Sequence, residues 1–286
     1  MQDWSVPWLQ QRGIDTPRLD SDLLLADALG LERLGLFLDP NRPVVGAELA
    51  LFKQHLQRRA RREPVAYILG QRSFWRHAFV VTPAVLVPRP ETELLVEAVL
   101  EAFPPNEQTA PLDMLELGIG SGAVLGSLLV EYPTALGVGV DVSAAALAVA
   151  EQNIRQLGCG ERVTLLQGDW VEPLRTPAQA ARRFQIIVAN PPYIASAELA
   201  QLEPEVAVWE PRQALDGGVD GLTALRQIAG EVVPWLAPGG LVALEIGATQ
   251  GDAVAELLTA AGLREVTLRL DYGRRPRVVC GYRGMA

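Results

Sequence analysis

The sequence predicts an α/β protein: a doubly wound, mostly parallel sheet closed by an antiparallel end, preceded by a small helical-bundle domain. Three observations predict it. From Leu112 onward, short apolar runs rich in β-branched residues alternate with stretches of helical periodicity. Four of those runs end on glycine, aspartate or asparagine. Residues 1–70, by contrast, carry helical patterning only.

The chain has 286 residues, 49% of them hydrophobic, ample for one large or two unequal cores. The expected organisation is a helical domain over 1–70, a β-hairpin linker over 71–90 and an α/β domain over 91–286. No apolar run reaches the ~18 residues that a membrane helix needs. The first residues, MQDWSVPWLQQRG, lack a basic stretch followed by an apolar one, so no secretory signal is expected. Cys159 and Cys280 make no disulfide framework and have no partner at metal-ligand spacing, so no metal site is expected. A reducing cytoplasm is the expected compartment. His55 and His77 lie far apart and read as structural.

The net charge of −9 argues against a broad phosphate-binding face. Arg58, Arg59, Arg61, Arg62, Arg72 and Arg76 form a local exception. They read as a solvated helix face, or as a docking patch for a partner.

Thr16-Pro17 predicts a helix start, a capping residue followed by proline at the first helical position. Leu19, Leu23, Leu24 and Ala28 form its apolar stripe, and Gly30 suits its end. A short helix through Leu36 and a turn at Asp39-Pro40-Asn41-Arg42-Pro43 follow. Residues 46–62 form an amphipathic segment on Leu49, Phe52, Leu56 and Arg59, which Pro64 stops. SFWRHAFVV and AVLVP predict two strands turning at Thr82-Pro83. Pro88-Arg89-Pro90-Glu91-Thr92-Glu93 leads into a helix from Leu94 to Phe103, with Thr92 as a possible cap.

In the α/β part the expected strands are 112–117, 136–140, 162–166, the run Ile186-Ile187-Val188 that stops at Asn190, 241–245, 266–270 and 277–282. The expected helices are 123–131, 143–157, 222–236 and 252–261. Ser143 suits the cap of the second helix, and Pro238-Gly239-Gly240 a turn.

In such a sheet, ligands sit beyond the carboxyl ends of the strands, near the switch in strand order. Four features fall at those ends. One is the turn Glu116-Leu117-Gly118-Ile119-Gly120-Ser121-Gly122, whose glycines let the backbone approach a ligand closely. The second is Asp141, placed to accept the hydroxyls of a ribose. The third is Asp169-Trp170, which suits the flank of an adenine. The last is Asn190-Pro191-Pro192-Tyr193. Gly118, Gly120 and Ala123 also fit the dinucleotide pattern, so two cofactor classes remain open on the glycines alone. The acid at Glu116 suits a cation-bearing nucleoside better than a pyrophosphate.

The tetrapeptide at 190–193 has its own chemistry. Two prolines donate no backbone hydrogen bond and end the strand. The residues before them, Asn190 and Pro191, are held extended. The site offers acceptors, the Asn190 side-chain oxygen and the carbonyls of Asn190 and Pro191, with an aromatic ring at Tyr193. It suits a planar group held by its NH2 hydrogens.

With the glycine turn, Asp141 and Asn190–Tyr193 in that order, the chain resembles the class I S-adenosylmethionine-dependent methyltransferases that modify planar nitrogens, with their Rossmann-like fold. Narrower segments carry a closer resemblance. These are Glu63-Pro64-Val65-Ala66-Tyr67-Ile68, Val87-Pro88-Arg89-Pro90-Glu91-Thr92-Glu93, and Trp209-Glu210-Pro211 with Gly217-Gly218-Val219-Asp220-Gly221-Leu222. They look like the peptide chain release factor glutamine methyltransferases (the HemK/PrmC family). The resemblance implies a monomeric cytoplasmic enzyme. It would methylate the glutamine side chain in the Gly-Gly-Gln motif of class I release factors, with S-adenosyl-L-methionine as methyl donor.

The resemblance implies cofactor contacts at Glu116, Gly118, Ile119, Gly120, Ser121, Gly122, Asp141, Asp169, Trp170 and Asn190. It places the substrate at Asn190, Pro191, Pro192 and Tyr193. Among these, Asn190 and Pro191 would accept the two amide hydrogens and Tyr193 would pack on the amide plane. Arg89, Glu91 and Glu93 would close the site around the glutamine. Glu116 stands where the family usually has Asp, and Ile119 where Thr is common. The loop Gly273-Arg274-Arg275-Pro276-Arg277 departs from the family's Gly-Arg-Asp-Arg. An adenine-N6 nucleic-acid methyltransferase uses the same clamp, but would need a basic cleft and a base-recognition insertion. A ribosomal-protein glutamine methyltransferase is a second alternative, usually divergent in the Arg-Pro-Glu-Thr-Glu segment. An NAD(P)-dependent oxidoreductase would leave residues 190–193 unexplained, and a noncatalytic binding protein would leave the clamp without a use.

Overall fold

The computed structural model describes residues 1–39 and 41–285. They divide into two compact units, Met1–Gln71 with Glu203–Trp209, and Arg72–Leu202 with Glu210–Ala286. Pro40, within the turn expected at 39–43, lies outside the described residues.

The first unit is helical: α1 (Gln2–Gln10), α2 (Pro17–Ala28), α3 (Gly35–Leu38), α4 (Gly46–Arg59) and α5 (Val65–Leu69). Leu9, Ile14, Leu24, Leu25, Ala28, Phe52, Leu56 and Ile68 form its core. The helix expected at Thr16-Pro17 is present, but its buried face is rotated from the stripe expected. Leu19 is exposed, while Leu24, Leu25 and Ala28 are buried beside Asp20 and Ser21. An ion pair explains the rotation: Asp20 Oδ2 accepts from Arg59 Nε at 2.6 Å, with both groups buried. A buried carboxylate needs such a partner. Thr16 donates its hydroxyl to Asp20 at 2.8 Å and makes no side-chain cap to the helix backbone.

The arginine cluster is largely committed within this unit. Arg58 pairs with Glu63 at 2.5 Å, Arg59 with Glu205 at 2.7 Å and Arg62 with Glu205 at 2.6 Å. Glu205 belongs to the short helix α9 (Pro204–Ala207). The expectation of a solvated arginine face is therefore corrected for these three side chains: the nearby Glu63 and the distant Glu205 engage them.

The second unit opens with a hairpin, β1 (Gln71–Phe74) and β2 (His77–Val80). Its turn is at Trp75-Arg76, where Trp75 has φ of 54°, and not at Thr82-Pro83; residues 84–88 form no strand. The Glu93 carboxylate accepts the Trp75 N–H at 2.7 Å and so holds this turn.

The remaining strands form one seven-stranded sheet: β3 (Asp113–Leu117), β4 (Leu136–Asp141), β5 (Val163–Gln167), β6 (Phe184–Ala189), β7 (Leu236–Glu245), β8 (Arg264–Leu270) and β9 (Pro276–Tyr282). Their order is β5-β4-β3-β6-β7-β9-β8, parallel except where β9 runs antiparallel to β7 and β8. The expected fold class is thus present. Helices α6 (Glu93–Ala102), α7 (Ala123–Glu131) and α8 (Ala144–Gln156) cover one face, with Met114, Ile186, Val188, Leu241 and Ala243 beneath them. Helices α10 (Thr223–Glu231) and α11 (Gly251–Ala260) cover the other, over Leu115, Ile187, Ala189, Val242 and Leu244.

The chain runs from β3 outward through β4 to β5, then returns to β6 on the other side of β3. The switch in strand order therefore lies between β3 and β6. There Leu117 pairs with Ala189, so Gly118 and Asn190 leave the sheet side by side. The period-two alternation of strands carries the same parity outward. Glu116, Asn190 and Glu245 continue the series Met114, Ile186–Val188 and Leu241–Ala243, and so share the face that α6 covers.

Candidate active site

A cleft of about 340 Å3 opens at this switch point. Its lining includes Glu116, Gly118, Ile119, Gly120, Ser121, Asp141, Asp169, Trp170, Asn190 and Pro192, ten positions expected from the sequence. Gly122, Pro191, Tyr193, Arg89, Glu91 and Glu93 do not line it.

The glycine turn takes its form from backbone requirements. Gly118, Gly120 and Gly122 have φ of 70°, 52° and 76°, a region that side chains resist. At Gly118 the Trp170 ring lies 3.5 Å from where a Cβ would stand, so the indole closes over the turn. Gly122 precedes α7 and backs onto Ala150, which explains its place behind the cleft. Asp141 pins the same turn: its Oδ2 accepts the Gly120 N–H and its Oδ1 the Ser143 N–H, both at 2.9 Å. Ser143 caps α8 as expected, accepting the Ala146 N–H at 3.2 Å.

The acids of the cleft are unequal. Glu116 is buried, and its Oε2 accepts the Leu125 N–H at 2.9 Å. Burial pushes its carboxyl up to about 8, against the pull of that hydrogen bond, and neighbouring Asp141 adds to the rise. Asp169 is exposed and accepts from Gln227 at 3.2 Å. Asp216 is held below the usual carboxylate range, first by the Ser196 hydroxyl.

At the rim, Asn190 donates Nδ2 to the Thr92 hydroxyl at 3.2 Å. Its Oδ1 takes no hydrogen bond among the described residues and remains the polar atom available to the cleft. Tyr193 turns its hydroxyl to Glu245 at 3.3 Å, and its carbonyl accepts from Gln250 at 2.9 Å. Thr92 was expected as a helix cap; it makes no side-chain cap, because its hydroxyl serves Asn190 instead. Arg89 is paired with buried Glu210 at 2.6 Å, which ties the 88–90 segment to the loop beginning at Glu210.

Comparison with known proteins bears on the family and the fold. The family models described as PrmC N-terminal domain and Methyltransferase domain match residues 2–70 and 114–207. A release factor glutamine methyltransferase of Caulobacter vibrioides is 45% identical over 96% of this chain and 92% of its own. The chain belongs to the release factor glutamine methyltransferase family. Another member, from Geobacter sulfurreducens, is 40% identical over 98% of this chain and 94% of its own. A methyltransferase structure from Pyrococcus furiosus aligns with a TM-score of 0.51 at 17% identity, over 72% of this chain and 89% of that one, and supports the fold.

The structure adds residues to this methyltransferase cleft that sequence reasoning did not single out. Ala84, Val85 and Leu86 form one wall, and Gln213, Ala214 and Asp216 another. No local pattern marks them, since loops bring them in from both sides. Glu245 does not line the cleft but bonds to the hydroxyl of Tyr193. It ends β7, and the strand-end rule that selects Asp141 and Asn190 also points to it.

Glu116 makes the stability of this family member pH-dependent. An unfolded glutamate ionises near its ordinary 4.5, whereas the folded protein keeps the proton to about 8. Between those values the folded state binds the extra proton, so stability falls as pH rises. Glu116→Gln removes this contribution while keeping an acceptor for Leu125. The variant is expected to gain stability over wild type progressively from pH 5 to 8, by at most about 1.4 kcal/mol per pH unit. Above pH 8 the gap levels off. Thermal unfolding of both proteins across this range checks it; a constant gap would remove Glu116 from the titration.

Proposed function

We propose that the protein transfers the methyl group of S-adenosyl-L-methionine to the side-chain amide nitrogen of a glutamine, that of the Gly-Gly-Gln motif in class I peptide chain release factors. The observation that carries this reading is the polarity of Asn190: its NH2 is engaged by Thr92, which leaves an oxygen at the cleft to grip an NH2.

The residues of the cleft fit the methyl donor. Glu116, Asp141, Asp169 and Asp216 line it, and no lysine, arginine or histidine is among the lining residues. Such a cleft suits a sulfonium and an ammonium, and repels the pyrophosphate of a dinucleotide. Asp141 would accept from the ribose, Trp170 and Asp169 would flank the adenine, and Gly118 and Gly120 would allow close approach. Glu116, which keeps its proton to about 8 while buried, would ionise against a cation bound beside it. When bound, S-adenosyl-L-methionine supplies a methyl group already activated by positive sulfur.

The protein's own task is then to position a weak nucleophile. An amide nitrogen shares its lone pair with its carbonyl. Asn190 Oδ1 and the Pro191 carbonyl would accept its two hydrogens, fix the amide plane and draw electron density toward nitrogen. Positioning of this kind contributes up to ~7–11 kcal/mol to a barrier. No base is needed before transfer, because the spare proton leaves afterwards. In this reading Tyr193, with its hydroxyl held by Glu245, gives the clamp a fixed side wall, while Arg89 and Glu93 are committed to Glu210 and the Trp75 N–H and not to the substrate.

The test is methyl transfer from tritiated S-adenosyl-L-methionine to purified release factor, to its Gly-Gly-Gln→Gly-Gly-Ala variant and to DNA. Label is expected on the first alone. Label on DNA, or equal label on both release factors, would overturn the reading.

A further inference from the structure

Glu245 is only 1% exposed, yet it is a carboxylate. Its Oε1 accepts from the Tyr193 hydroxyl at 3.3 Å, and its Oε2 makes no hydrogen bond among the described residues. The Thr92 hydroxyl lies near enough to this carboxylate to favour its ionised form, and the pairing of Ala189 with Leu244 sets Asn190 and Glu245 at adjacent strand ends. Thr92 Oγ1 in turn accepts from Asn190 Nδ2 at 3.2 Å. The chain of contacts runs Glu245, Thr92, Asn190, with Tyr193 as a second branch.

The polarity of this chain follows from the inventory of donors. An ionised carboxylate only accepts. Thr92 has one proton, and next to an ionised Glu245 it is committed there. Only lone pairs of Thr92 then face Asn190. Asn190 must therefore turn its NH2 toward Thr92, which leaves Oδ1 on the other side. We propose that Glu245 is the positioning residue of the clamp: acting through Thr92, it orients the Asn190 amide so that an acceptor faces the substrate, and it anchors Tyr193 beside it. The proposal rests on the reading of Asn190 as the group that grips the glutamine amide.

The relay depends on the charge of Glu245. Burial pushes this carboxyl up to about 7, against the Thr92 and Tyr193 hydrogen bonds and the pull of Arg277. Glu91 faces it and adds to the rise. Arg277 is shared with Asp271 at 3.2 Å, which weakens its hold on Glu245. Arg89, the other cation near Tyr193, is paired with Glu210. Above about pH 7 the carboxylate is ionised and the relay set. Below it, a protonated Glu245 donates to Thr92, Thr92 donates to Asn190, and the amide has reason to flip.

The test compares wild type, Glu245→Gln, Thr92→Ser and Thr92→Val in two measurements. The first is release-factor methylation from pH 6 to 9 at saturating substrates, with binding of S-adenosyl-L-methionine by calorimetry. Glu245→Gln is expected to lower kcat about tenfold or more, in line with a lost charged hydrogen bond. Its KM for release factor and its affinity for the methyl donor stay within about twofold, because no binding group is removed. Wild-type kcat falls below pH 7, and this acid limb is absent from Glu245→Gln. Thr92→Ser retains wild-type behaviour, and Thr92→Val follows Glu245→Gln. The second measurement is the side-chain 15N resonance of Asn190, which needs no substrate. It titrates near pH 7 in wild type and is constant in Glu245→Gln.

A Glu245→Gln enzyme with wild-type kcat and an intact acid limb overturns the proposal, as does an Asn190 resonance indifferent to pH in wild type. If Glu245→Gln unfolds, Thr92→Val decides: wild-type kcat there overturns the relay. If wild type labels no release factor while the Asn190 resonance still titrates, the substrate reading falls and the orientation of Asn190 by Glu245 stands.

Discussion

Asn190→Ala lowers kcat for release-factor methylation by about a hundredfold or more, while affinity for S-adenosyl-L-methionine changes only a few-fold. The loss follows from what the side chain provides. In the proposed reading its Oδ1 would be the acceptor for the glutamine amide, since Nδ2 is bound to Thr92. A preorganised group aimed at developing charge is worth about 10²–10³ in kcat when removed. In the proposed reading the methyl donor would rest mainly on other residues that line the cleft, the glycine turn, Asp141 and Trp170, which the substitution leaves in place. Steady-state kinetics with purified release factor, paired with calorimetry of the methyl donor, separate the two effects. Unchanged kcat with collapsed binding would move Asn190 from the substrate to the cofactor.

Asp141→Ala produces the opposite pattern: affinity for S-adenosyl-L-methionine falls about a hundredfold, and kcat at saturation falls far less. Asp141 does two things at once. In the proposed reading its carboxylate would accept ribose hydroxyls, and it already accepts the backbone N–H groups of Gly120 and Ser143 at 2.9 Å each. Alanine leaves both donors without a partner and loosens the glycine turn. An unpaired, partly buried donor costs about 1–3 kcal/mol, and 1.4 kcal/mol is a factor of ten in binding. Asp141→Asn is expected to be nearly as damaging, because its NH2 would face one of those two N–H donors. Wild-type affinity in both variants, measured by calorimetry, would separate Asp141 from the ribose.

These two residues also show why part of the site is readable without coordinates. Asp141 and Asn190 each end an apolar run, and in a doubly wound sheet strand ends converge. The glycines at 118, 120 and 122 announce a backbone that side chains resist, and the paired prolines at 191 and 192 announce a strand end without donors. Such rules act over a few residues, so they are written in the sequence itself. The alternation of strand and helix from β3 to β9 is local in the same sense, and it determined the fold class.

What only the tertiary structure decided involves partners far apart in the chain. The buried stripe of α2 is rotated because Arg59 reaches Asp20. The arginines at 58, 59 and 62 are structural because Glu63 and Glu205 pair with them. The hairpin turns at Trp75-Arg76, where Glu93 holds the Trp75 N–H, although Thr82-Pro83 is the stronger turn signal. Thr92 reads locally as a helix cap, and becomes the link between Asn190 and Glu245 only when β6 and β7 pair in register, Ala189 against Leu244. Local preference is worth about a kilocalorie per mole, and leaving a buried charge or donor unpaired costs more, so packing overrides propensity at these positions. The sequence alone determined which residues stand at the strand ends; the register of the sheet set Asn190 and Glu245 at adjacent ends with Thr92 beside both, and so decided which atom of Asn190 is engaged.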